Sequence, residues 1–263
     1  MLMSQFLKSR KTVRDYKKKA LLPAAQESIR ALLDEKNERL KPYHAKLAFF
    51  HDGDDIKRVL EDKGGYAGVM IEAPAYIGMI ILEESEEAYV RGAYEMEDVT
   101  TKLYDLNLGS CWVSLDGVED EILEGLAAGA GKTVYLLAVG YPVQQLGIGE
   151  IPFSSRLGVL DLVSGPDGKK LTMEELENLG LDDLFYYVRY APSAYNHQPW
   201  RFTVEDGKVT MRIENYKEKV TLVDAGIMMY YFEEMLRSLS INEKYTLDIH
   251  DEGADKVIGS VRI

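Results

Sequence analysis

The chain has 263 residues, 29% of them charged and 46% hydrophobic, with a formal net charge of -13 and a pI of about 4.9. That length is enough for one large domain or two small ones around a buried core, and the composition excludes a disordered chain. The acidic balance disfavours nonspecific binding to nucleic acid or anionic membrane, so any basic ligand patch must be local.

Cys111 is the single cysteine, which rules out an intrachain disulfide or a cysteine-built metal site and suits a reducing cytoplasm. The opening run MLMSQFLKSRKTVRDYKKK has charges before any sustained apolar segment and does not read as a secretory signal. The longest apolar runs, 76–82 and 135–141, fall well short of the roughly 20 residues of a membrane-spanning helix. The histidines at 44, 51, 197 and 250 show no metal-ligand spacing, and no Gly-x-Ser-x-Gly elbow occurs, so metal-dependent and serine hydrolase chemistry are not expected.

In chain order, Phe6, Leu7 and Val13 begin an apolar-spaced segment with Arg10, Lys11, Thr12 and Arg14 around it, a dense cationic cluster on an acidic protein. A solvated helix end or a phosphate cradle would both explain it. Residues 21–40 read as a helix, 46–50 as a short strand and 54–62 as a short helix. Gly64-Gly65-Tyr66 allows close backbone approach, to a strand or to a ligand. The near-continuous apolar run 72–82 reads as a buried strand. Residues 86–108 form a long helix with Met96, Val99, Leu103 and Leu106 on one face, and Gly109 is expected to supply its left-handed cap.

Residues 119–129 read as a helix leading into a strand over 133–140. The intervening Gly131-Lys132-Thr133 is not a P-loop, because Leu126 takes the place of the first glycine and the order runs from helix into strand. The turn-rich 165–170 is the best internal boundary. Thr172 and Glu175 form a capping box for the next helix. A further helical run over 179–190 leads to RYAPSAYNHQPW, then a hairpin of 201–204 and 209–213 around Asp206-Gly207, then a long amphipathic helix over 224–241. An offset of 133 residues separates Leu103, Leu106 and Leu108 from Leu236, Leu239 and Ile241, which suggests an internal duplication.

Residues 189–200 are the least ordinary stretch. Pro192 and Pro199 forbid a helix interior, so the segment must be a sharply shaped connection. Between them Ser193, Asn196, His197 and Gln198 offer hydrogen bonds without fixed charge, which suits either a turn that caps the next element or a planar, neutral, heteroatom-edged ligand.

APSAYNHQPWRF, residues 191–202, resembles the A-P-S-x-x-N-x-Q-P-W-x-F signature of the flavin-dependent nitroreductase family. SRKTVRDY at 9–16, LNLGSCW at 106–112, and AVGYP followed by SSR within 138–156 resemble three further pieces of that family's pattern. The resemblance implies an α+β nitroreductase-like fold, a central, mostly antiparallel sheet flanked by helices, here as two fused degenerate lobes, 1–163 and 164–263. It implies FMN as cofactor, NADH or NADPH as electron donor, and a small nitroaromatic, quinone or similar acceptor, reduced by ping-pong hydride transfer. It assigns Arg10, Lys11, Thr12 and Arg14 to the cofactor, Arg10 at the phosphate and Arg14 near the pyrimidine edge. It further places Gly109 and Ser110 on the N5 side, Arg156 at the phosphate, and Pro192, Ser193, Asn196 and Gln198 in the signature loop.

Two departures from the pattern matter. The first half carries EKNERLKPYHAK where a second signature loop would precede the strand, and of the basic pair in a Lys-Ser-Arg group only Arg156 remains. These departures keep a flavin-free binding or interaction module in play, and a flavin-dependent reductive dehalogenase would share every motif. Family members form homodimers with two interface sites. A fused chain carrying each motif once is therefore expected to bind one FMN between its lobes and to need no second copy.

Overall fold

Most of the strands form where hydrophobic residues alternate or run continuously. The computed structural model describes residues 2–65, 68–143 and 155–263, the side chain of Asp167 aside. The chain divides into a terminal unit, Met1–Arg10 with Glu150–Ile263, and a central unit, Lys11–Gly149. The first helix, α1 (Met3–Ser9), belongs to the terminal unit.

In the central unit α2 (Pro23–Leu40) starts with proline in its first turn and buries Ile29, Leu33, Lys36 and Leu40, the spacing of one helix face. After β1 (Ala45–Phe50), the Asp52 side chain accepts the N–H groups of Asp54 at 3.0 Å and Asp55 at 3.3 Å and so caps α3 (Gly53–Leu60). The fully buried β2 (Ala75–Ile81) is followed by α4 (Glu86–Asp105), capped by Ser85. β3 (Gly109–Ser114), α5 (Asp120–Leu126) and β4 (Lys132–Gly140) complete the unit. The sheet order is β1-β2-β4-β3, antiparallel throughout.

The end of α4 differs from the sequence expectation. Asn107, with φ 58°, takes the left-handed position, and the Leu108 N–H reaches back to the Leu103 carbonyl at 3.0 Å. Asparagine tolerates that conformation, which leaves Gly109 free to open β3 opposite Gly140. Gly109 is needed for space instead: a Cβ there would lie 2.6 Å from Val13 Cγ2. Gly65, at φ 80°, donates its N–H to the Ser114 carbonyl at 3.0 Å, so that glycine serves packing; Tyr66 lies outside the described residues.

In the terminal unit α6 (Val159–Leu162) runs into β5 (Val163–Ser164). α7 (Met173–Asn178) begins with the expected capping box, in which the Glu175 N–H meets Thr172 Oγ1 at 3.2 Å and the Thr172 N–H meets Glu175 Oε2 at 2.8 Å. α8 (Asp182–Val188), β6 (Trp200–Glu205), β7 (Lys208–Ile213), α9 (Leu222–Ser238), β8 (Thr246–Glu252) and β9 (Asp255–Arg262) follow. Asp206 and Gly207, both at positive φ, make the hairpin turn between β6 and β7. The order is β5-β6-β7-β9-β8, with only the β5–β6 pair parallel. Because Val163 and Ser164 pair with β6, the segment just before residue 164 belongs to the later sheet, and the compact units do not divide at 163/164.

Each unit thus runs strand, strand, long helix, strand, strand, and the four strands lie in the same order in both sheets. The long helices also end alike. Ser240 has φ 63° where α4 has Asn107, and the Ile241 N–H bonds the Leu236 carbonyl at 2.9 Å as Leu108 bonds Leu103. No helix among the described residues is long and apolar enough to cross a membrane.

Candidate functional site

The connection from α8 to β6 holds three non-glycine residues in the left-handed region, Tyr195 (φ 49°), Asn196 (φ 59°) and Gln198 (φ 50°). Each such residue costs on the order of 1 kcal/mol or more, so the surroundings must impose the conformation. They do so through the polar side chains between the two prolines. Ser193 Oγ accepts the Gln198 N–H at 2.9 Å, and Gln198 Nε2 donates to the Asn196 carbonyl at 3.1 Å. Gln198 Oε1 accepts the Leu157 N–H at 2.9 Å, and Asn196 Nδ2 donates to the Ser155 carbonyl at 2.8 Å. Pro192 and Ser193 are half-buried and Gln198 is buried, whereas His197 is exposed, its ring 5.7 Å from that of Tyr195.

Arg156 joins this loop from the preceding segment. Its Nη1 donates to Asn196 Oδ1, and its Nη2 to the Tyr190 carbonyl at 3.4 Å. Its Nε is buried without a hydrogen-bond partner, and the same is true of Arg10 Nε. Burial, and after it the neighbouring Arg10 charge, hold the Arg156 guanidinium below its ordinary pKa. Two arginines are therefore brought together within the terminal unit, and neither has a carboxylate ion-pair partner among the described residues. Like charges held together around unused buried donors form an arrangement that can accept an anion. Arg10 is fixed as the residue after α1, its N–H on the Phe6 carbonyl at 2.7 Å, while the Phe6 ring stacks on Tyr231 of α9.

The remaining expected residues group in the central unit. The Val13 N–H donates to the Ser110 carbonyl at 3.0 Å, and the buried Tyr16 hydroxyl donates to the carbonyls of Val13 at 2.6 Å and Ala138 at 3.2 Å. The Lys17 N–H then meets the Tyr141 carbonyl at 2.8 Å, and the Val143 N–H meets that of Asp15 at 3.1 Å. This strand-like run sets Thr12 and Arg14 beside Gly109 and Ser110, with the side chains of Lys11, Thr12 and Arg14 exposed. Burial keeps the Tyr16 hydroxyl protonated, with its pKa well above the ordinary tyrosine value. Ser154 and the Gly- and Gln-containing loop at 144–153 lie outside the described residues.

Where a second signature loop would stand before β1, α2 continues to Leu40, followed by the 3-10 turn Lys41–Tyr43 and His44 at φ 50°. Among the described residues no cluster of histidine, cysteine and carboxylate side chains suits a metal ion. Sequence reasoning missed two contributors to the site. Asp224 Oδ1 accepts the Ala194 N–H at 2.9 Å, and the Tyr190 carbonyl holds Arg156. Asp224 gave no signal beyond its place at the start of a helix, and a carbonyl has no sequence signature.

Two antiparallel sheets flanked by helices define an α+β protein of nitroreductase-like fold. The family described as "Putative TM nitroreductase" matches residues 3–236, and the chain belongs to it. A "putative nitroreductase" from Thermotoga maritima MSB8 is similar over 100% of this chain and 94% of its own, with a TM-score of 0.61 and 17% identity, a likeness of fold. A nitroreductase with bound FMN from Bacteroides fragilis NCTC 9343 is 16% identical, with a TM-score of 0.47 over 58% of this chain and 95% of its own. A "Putative NADH Oxidase" from Clostridium acetobutylicum is 21% identical, with a TM-score of 0.44 over 58% of this chain and 94% of its own. No curated protein matches the sequence.

Proposed function

We propose that the chain is an FMN-dependent oxidoreductase that takes hydride from NADH or NADPH and passes electrons to a nitroaromatic, quinone or similar small acceptor in a ping-pong cycle. When bound, FMN supplies the redox chemistry, and the protein supplies binding, orientation and electrostatics. The observation that carries this reading is the Arg10 and Arg156 pair, whose buried Nε groups lack hydrogen-bond partners and which have no carboxylate ion-pair partner among the described residues. That donor set fits the phosphate of FMN.

Arg10 and Arg156 hold the phosphate in this reading. Arg14 and Lys11 add positive charge, with Arg14 balancing negative charge at the N1/O2 edge, where a fixed cation is effective. Gly109 and Ser110 border the ring on the N5 side, and Thr12 belongs to the same cofactor-binding run as Arg10 and Arg14. Pro192, Ser193, Asn196 and Gln198 shape the loop; because the Asn196 and Gln198 amides already brace that loop, their part is to hold Arg156 and the backbone in place. No side chain is assigned as a general acid or base.

The equal strand orders and the matched helix ends at a constant offset of 133 residues support a reading as two duplicated lobes in one chain. In that reading the chain is a pseudo-dimer that can act as a monomer with one FMN; its single cysteine suits the cytoplasm, and its acidic balance disfavours nucleic-acid or membrane partners. The test is direct. The purified chain should bind FMN at one equivalent, measured by flavin fluorescence quenching alongside solution mass. Arg10→Ala and Arg156→Ala should each weaken binding by about tenfold or more, as expected for loss of a charge-assisted contact. A chain that cannot be loaded with FMN, or unchanged affinity in both variants, would refute the assignment.

A further inference from the structure

Asp224 is the third residue of α9, is 4% exposed, and has no role in the function just described. Among the described residues no cation pairs with it, and burial pushes its pKa up to about 7. A buried carboxyl without a cation is costly to the fold, so the hydrogen bond it accepts needs a physical account. That bond, from the Ala194 N–H to Oδ1 at 2.9 Å, falls at the first residue of the 3-10 turn Ala194–Asn196. Immediately downstream come the left-handed residues Tyr195, Asn196 and Gln198. Asn196 then holds Arg156, and Gln198 holds the Leu157 N–H. α9 itself is firmly seated, with Ala225, Met228, Met229, Tyr231 and Phe232 fully buried.

We infer that Asp224 is a positioning residue: it anchors the 194–198 turn to α9 and, through Asn196 and Gln198, sets where Arg156 presents its unpartnered Nε. This inference rests on the anion-site reading above. What the anchor requires is a carbonyl-type oxygen at the Oδ1 position, which a carboxylate, a protonated carboxyl and an asparagine amide all provide.

The experiment uses the full chain, FMN as probe, and the variants Asp224→Ala, Asp224→Asn and Ala194→Pro. Proline suits the first position of a helical turn and removes only the donor. Asp224→Ala and Ala194→Pro are expected to weaken FMN binding by about tenfold each, and the double variant no further, because both remove one shared bond. Asp224→Asn should stay within about threefold of wild type. Amide hydrogen exchange at Ala194, read in the flavin-free protein, should quicken by about tenfold in Asp224→Ala and hold steady in Asp224→Asn. Additive losses in the double variant, or an asparagine variant as impaired as the alanine one, would overturn the inference. If Asp224→Ala does not fold, Ala194→Pro against Asp224→Asn makes the same comparison. Should the wild type bind no FMN, the flavin reading falls, and Ala194 exchange still decides the anchor: unchanged exchange in Asp224→Ala rejects it.

Discussion

Replacing Asp224 by asparagine should change how stability depends on pH, in a direction set by burial. Burial raises the Asp224 carboxyl from 3.8 to about 7, against the opposing pull of the Ala194 hydrogen bond. Between those values the folded chain keeps a proton that the unfolded chain releases. The resulting stabilisation is complete below the unfolded pKa and disappears as pH rises through the folded one. A gap of roughly three units at 1.36 kcal/mol per unit corresponds to about 4 kcal/mol in total, and more than half of it develops between pH 8 and pH 5. Asparagine does not titrate, so subtracting its stability from that of the wild type removes the contribution of every other group common to both. Urea denaturation followed by far-ultraviolet circular dichroism at pH 5, 6, 7 and 8 measures that difference. The wild type should gain on the variant by roughly 2–3 kcal/mol as pH falls across this range. A difference that is flat, or that grows toward pH 8, would show that the carboxyl is not held neutral by burial.

Gly109→Val should destabilise the central unit by about 1–3 kcal/mol, since its Cβ would lie 2.6 Å from Val13 Cγ2; an unchanged denaturation midpoint would count against that close approach. Lys36→Met should cost about 3–5 kcal/mol by urea denaturation, because Lys36 is buried between Glu95 and Asp98, and burial already raises the Glu95 pKa despite Lys36 and Arg39. Adding Glu95→Gln should recover part of that loss, and a second substitution that only adds further loss would contradict the charge argument. Trp112→Phe removes the indole N–H that reaches buried Glu97 at 2.8 Å, and a loss of about 1–3 kcal/mol is expected in the same assay.

Features decided within a few residues were readable in the chain itself. The Thr172 and Glu175 capping box and the Asp206-Gly207 hairpin need only local bonds, and both appear in the structure; α4 forms where periodicity puts it, but its burial extends beyond the expected face to Glu95, Glu97, Thr100 and Thr101. The signature at 191–202 also marked the loop around which Arg156 and Asp224 gather. What sequence could not decide depends on partners far along the chain. β3 is not legible as a strand in the sequence because its strand character comes from pairing with β4, and Asn107 takes the turn that Gly109 is expected to make. β8 was missed because TLDIHDE is largely polar, as an edge strand tolerates, and β9 holds it in the sheet. Arg10 and Arg156 carried motifs, but only the packing of α1 against α8 and α9 brings their charges together, and only burial turns Asp224 from an ordinary helix-start carboxylate into an anchor. Local bonds are specified by neighbours that the sequence lists side by side, whereas desolvation and like-charge proximity arise only when the fold removes water between distant segments.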